Sequence, residues 1–133
     1  MTSEVTYLGD LRTSCKHLKS GDVFVTDAPI DNNGLGKAFS PTDSVATALA
    51  SCMFTIMGIK SKDLDIDLSN SKADVTKIMA SDPRRISEIH IHFNINIQLS
   101  SKDQTILEKA AMTCPVIYSI HPDIKKEIRF NWG

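Results

Sequence analysis

FSPTDSVATALASCMFTIMGI, residues 39–59, holds the longest uncharged run of the chain, from Ser44 to Ile59. Its opening, Ser40-Pro41-Thr42-Asp43, is a strong helix start. Serine suits the N-cap, proline suits the first helical position, and an acid three residues after the serine closes a capping box. The run that follows is apolar almost all round, which predicts a helix buried on most faces and central to the core, ending near Lys60–Lys62 where cations suit the helix dipole. Its 16 uncharged residues fall short of the roughly 20 apolar residues that cross a bilayer. A buried helix is therefore expected, and no membrane partner.

Upstream, residues 4–12 (EVTYLGDLR) and 22–26 (DVFVT) read as strands separated by a polar turn, SCKHLKSGD. Residues 27–39 (DAPIDNNGLGKAF) are dense in Asp, Asn, Gly and Pro and read as a long loop. Downstream, SKADVTKIMA and residues 86–99 read as two strands of a hairpin joined through SDPRR. In the second of these, Ile89, Ile91, Phe93, Ile95, Ile97 and Leu99 alternate with polar residues, so one face is core. A second helix is expected from Ser101, with Gln104 closing its capping box. Pro115 breaks it, and a short helix restarts with Cys114 close to its N-cap. Ile124, Ile128, Phe130 and Trp132 then share one face of a closing strand. The expected fold class is α+β in one domain, residues 1–133.

At 133 residues, 41% hydrophobic and 23% charged, the chain is globular rather than disordered. Fifteen basic against sixteen acidic residues leave a net charge of −1, which gives no electrostatic drive towards nucleic acid. MTSEVTYLGDLR carries early charges and no apolar signal region, so a cytoplasmic location is expected. Three cysteines, at 15, 52 and 114, show no Cys-x-x-Cys spacing and suggest neither a disulfide framework nor a zinc knuckle.

Each chemistry-bearing residue has a plain reading beside its functional one. Cys52 lies mid-helix, where a free cysteine is usually a small core hydrophobe; a reactive Cys52 needs a cation to stabilise its thiolate. Cys114, beside Pro115 at a helix entry, would lie near backbone N–H groups that favour a thiolate. Cys15 falls in the polar turn region and reads as a spare thiol. Arg12, the first arginine of the chain, is either a solvated strand residue or a permanent cation. Were its strand to continue, Arg12 and Cys15 would face opposite ways. Glu88, His90 and His92 share one strand face, which suits a metal but more often simply faces water.

The segments around Cys52 and around Cys114 (MTCPVIYSIHPD), with YLGDLR and TDAPIDNNGLGKAFSPTD upstream, resemble the OsmC/Ohr superfamily of thiol-dependent peroxidases, closest to its OsmC-like branch. The resemblance implies antiparallel sheets around a long central helix, and an intertwined homodimer whose active sites draw on both subunits. It implies Cys52 as peroxidatic thiol, Cys114 as resolving thiol and Arg12 as the cation, with no cofactor and no metal. The partners implied are a small-molecule hydroperoxide, organic by preference, and an external dithiol reductant. Ohr-type proteins place an arginine-orienting glutamate ten residues before the first cysteine; here that position is Thr42, with Asp43 one residue on. Asp43 is thus the acid to examine in that role. The alternative is a catalytically weak dimer that binds a small apolar ligand or serves a structural purpose.

Overall fold

Gly9, Asp10 and Leu11 all take positive φ (86°, 54° and 61°) in the computed structural model, which describes residues 1–133. Positive φ at both central positions, here Asp10 and Leu11, is what a tight two-residue hairpin turn requires, and aspartate tolerates it better than leucine. The first expected strand is therefore two: β1 (Ser3–Gly9) and β2 (Arg12–His17), paired antiparallel, with β3 (Val23–Asp27) added to β2. SCKH, expected in a turn, is strand, and the turn lies beyond it. Cys15 accordingly sits within β2, half-buried and opposite Val5 and Phe24, not in a loop.

A 3-10 turn, Ile30–Asn32, interrupts the loop after β3. The loop folds back on the strand end: Asp27 N donates to Phe39 O at 3.0 Å, and Gly36 N donates to Ala28 O at 3.1 Å. A Cβ on Gly34 would lie 1.7 Å from Ala28 O, so only glycine permits this approach.

Helix α1 spans Pro41–Asp63. Its capping box forms as read: Asp43 N donates to Ser40 Oγ, and Ser40 N donates to Asp43 Oδ2, both at 3.0 Å. Burial is narrower than expected. Ala46, Leu49, Ala50, Met53 and Met57 form a buried stripe, while Val45, Thr47, Ala48, Ser51, Thr55 and Ile59 are exposed. A helix laid on a sheet can cover only one flank, so an evenly apolar helix keeps its other flank open. By length and composition α1 is apolar enough to cross a membrane; here its stripe packs into the core.

The chain forms two compact units, residues 1–45 and 46–133. In the second, β4 (Lys72–Ala80) and β5 (Arg85–Ile95) form the expected hairpin. Helix α2 (Ser101–Ala111) is capped by Ser100 rather than Ser101: Ser100 Oγ accepts from Asp103 N at 3.2 Å, and Gln104 turns its amide to Leu99 O at 3.0 Å. Either serine of the pair can cap, and the earlier one adds a residue to the helix. Helix α3 (Pro115–Ser119) and strand β6 (Lys125–Trp132) close the chain. Strand β6 runs parallel to β5, so this sheet is mixed rather than antiparallel; the two helices provide the crossover that a parallel pair needs.

The core gathers the α1 stripe, Ile89, Ile91, Phe93 and Ile95 of β5, Leu107 and Ala111 of α2, and Cys114. Phe93 is its hub, edge-on to Phe54 at 4.8 Å and stacked on Phe130 at 5.0 Å. Each such side chain contributes about 1.5–3 kcal/mol on burial.

Candidate thiol site

Cys52 stands on α1 next to the buried Met53 and is itself half-buried, packed against the core cluster to which Cys114 belongs. Cys114 is fully buried. Pro115 forces the preceding residue out of the helical region, and Cys114 takes φ −66°, ψ 142° as the N-cap of α3. Its Sγ accepts a hydrogen bond from Ile117 N at 3.3 Å. The two thiols, 62 positions apart in sequence, are near enough for Cys52 to raise the Cys114 thiol.

The helix-entry amides do not make Cys114 a thiolate. Burial pushes its thiol above the ordinary value, the Ile117 amide opposes this, and the neighbouring Cys52 raises it further. Desolvation outweighs donors because no water reaches the sulfur to share its charge. At neutral pH Cys114 is therefore a protonated thiol, and the expectation of a stabilised thiolate there is corrected.

Arg12 opens β2 and faces away from Cys15, as alternation along the strand demands. Thr42 bonds Ser40 Oγ through Oγ1 at 3.2 Å, and Asp43 commits Oδ2 to the Ser40 amide. Glu88, His90 and His92 do not converge. His90 Nε2 lies 3.2 Å from Glu88 and 3.4 Å from Glu127, and its hydrogen bond holds the Glu88 carboxyl below its usual range. No three His, Cys, Asp or Glu side chains stand close enough to hold a metal ion.

One residue escaped the sequence reading. Asp27, expected in the loop, ends β3 and is fully buried, with Oδ2 accepting from Lys37 N at 2.9 Å. Nothing in the local pattern marks a buried acid, since its burial comes from a loop returning ten residues later.

A match to the family model for OsmC-like protein runs from residue 34 to 129 and spans both cysteines. The chain belongs to the OsmC-like family. A Psychrobacter arcticus 273-4 structure, provisionally described as an osmotic stress induced and detoxification response protein, is 56% identical, covers 98% of this chain and 96% of its own, and superposes with a TM-score of 0.96. An organic hydroperoxide resistance protein OsmC from Legionella pneumophila has the same fold at 15% identity and TM-score 0.72, covering 98% and 97%. The organic hydroperoxide resistance protein OhrB of Bacillus subtilis does so at 15% identity and TM-score 0.65, covering 98% of each chain. No curated protein matches the chain. These OsmC-like and Ohr structures share the α+β arrangement of two sheets and a long helix.

Proposed function

We propose that this OsmC-like protein is a cysteine-based peroxidase that reduces organic hydroperoxides in oxidative-stress defence. The observation that carries the reading is the pairing of a half-buried Cys52 with a buried, protonated Cys114. Cys52 is the accessible sulfur and attacks as thiolate. The O–O bond of the hydroperoxide breaks, the alcohol leaves with a proton, and Cys52 becomes a sulfenic acid. Cys114 then attacks that sulfur, an S–S bond forms, and water departs with the Cys114 proton. An external dithiol reduces the disulfide. Phe54 and Ile56, partly buried on the same helix as Cys52, suit an apolar peroxide over hydrogen peroxide.

The same reading assigns Arg12 as the cation for the thiolate and the peroxide oxygen. It also makes the protein a homodimer. Val5, Tyr7, Leu8, Val23 and Phe24 lie exposed on strands of the N-terminal sheet and Leu11 in its turn, apolar side chains that a second copy would cover.

One equivalent of cumene hydroperoxide should remove two hydrogens from the reduced protein, with peptide mapping locating a Cys52–Cys114 disulfide. Unchanged mass, with no turnover on any dithiol, would leave the weak ligand-binding dimer as the better account. The side chain of Thr42, a hydroxyl bonded to Ser40 and no carboxylate, is the observation that favours that second reading.

A further inference from the structure

In the register of the N-terminal sheet, Arg12 pairs directly with Asp27. Side chains at directly opposed positions share a face, with Cβ atoms about 4.5–5.5 Å apart. Two buried side-chain polar atoms lack a hydrogen-bond partner, and they are Arg12 Nε and Asp27 Oδ1. One is a donor, the other an acceptor, and they belong to this one cross-strand pair. Leaving either unpaired is unfavourable, more so where charge is involved.

Asp27 is held for such a task. Its side chain is inaccessible to solvent, Oδ2 is anchored by the Lys37 amide, and its own amide is bonded to Phe39 O. Only Oδ1 is left to act. Arg12 is partly exposed as a residue, yet its Nε is buried. Asp43, the acid nearest the expected position in sequence, has already given Oδ2 to the helix cap.

We infer that Asp27 is the positioning residue of Arg12: the two unpaired atoms of this cross-strand pair, not bonded to each other in this structure, join when the guanidinium turns, so that the buried carboxylate accepts from Nε and fixes the plane and direction of the fork. This rests on the proposed function for the catalytic consequence, but the pair itself is testable without it. A carboxylate that binds Nε orients the fork without consuming the terminal nitrogens that would face an anion or peroxide.

The rate of Cys52 oxidation by cumene hydroperoxide should be measured in wild type, Arg12→Ala, Asp27→Asn and the double variant, each checked for folding by near-ultraviolet dichroism. The expectation is a loss of roughly tenfold or more in each single variant, with no further loss in the double. Equal losses for Asp27→Asn in both backgrounds overturn the inference, because Asp27 then acts independently of Arg12. Arg12→Ala at wild-type rate refutes the arginine's catalytic role in the proposed function. The pair is then decided by nuclear magnetic resonance of the wild-type Arg12 Nε–H, assigned through Arg12→Lys. Slow exchange with solvent supports the bond; exchange as fast as in exposed arginines overturns it. The same measurement decides the matter if Asp27→Asn does not fold.

Discussion

Replacing Cys114 by alanine and by serine separates what its sulfur does for the fold from what it does as a thiol. Alanine removes the N-cap acceptor of α3, a loss of about 0.5–2 kcal/mol. The low end applies, because Ile117 N also reaches Cys114 O at 3.1 Å and keeps one acceptor. Alanine also leaves a one-atom void at a fully buried position; deleting one buried heavy atom costs about 0.5–1.5 kcal/mol. Together these give about 1–2.5 kcal/mol. Serine keeps the cap and nearly fills the space, and its hydroxyl finds the Ile117 amide, so it should stay within about 1 kcal/mol of wild type. Urea unfolding under a reductant, followed by near- and far-ultraviolet dichroism, measures both; with m unchanged, the midpoint shift reads stability directly. Serine as destabilising as alanine, or alanine indistinguishable from wild type, would refute the capping role and the tight packing around the sulfur. Neither variant can form the proposed disulfide, so a difference between them cannot arise from redox chemistry.

In the reduced native protein, iodoacetamide should label Cys52 at least about tenfold faster than Cys114, since one is half-exposed and the other buried with its thiol raised; mass mapping at short times checks this, and equal rates contradict it. The raised Cys114 thiol also sets a pH dependence. A proton bound more tightly in the folded state contributes stability below the unfolded thiol value of about 8.5, and this is lost as pH rises through the higher folded value. The urea midpoint of wild type should therefore fall more steeply above pH 8.5 than that of Cys114→Ser, and parallel curves would count against it. Ser40→Ala removes the acceptor for the Asp43 amide and should cost about 1 kcal/mol, read from the thermal midpoint. Phe93→Ala empties the aromatic hub between Phe54 and Phe130 and should cost about 3–5 kcal/mol in urea unfolding.

Local rules carried the helices. The α1 capping box, the break at Pro115 with Cys114 as N-cap, and the alternation along β5 are determined by residues within four positions of one another, where sequence spacing and spatial neighbourhood coincide. The hairpin at residues 9–11 was also local, yet a strand pattern continuing through it concealed the turn and with it the place of Cys15. The parallel pairing of β6 and the single buried flank of α1 depend on which surfaces meet, and no local spacing encodes that.

For the thiols the division is sharper. The sequence by itself determined that Cys52 rides an apolar helix and that Cys114 caps a Pro-started one, because helix geometry is set by adjacent residues. Only the tertiary structure decided that Cys52 comes near enough to influence Cys114 and that Cys114 is held protonated, because desolvation depends on everything packed around a group. It alone also placed Asp27 opposite Arg12 and buried it under its own returning loop. An acid's role follows from what surrounds it, and those surroundings are assembled from distant parts of the chain.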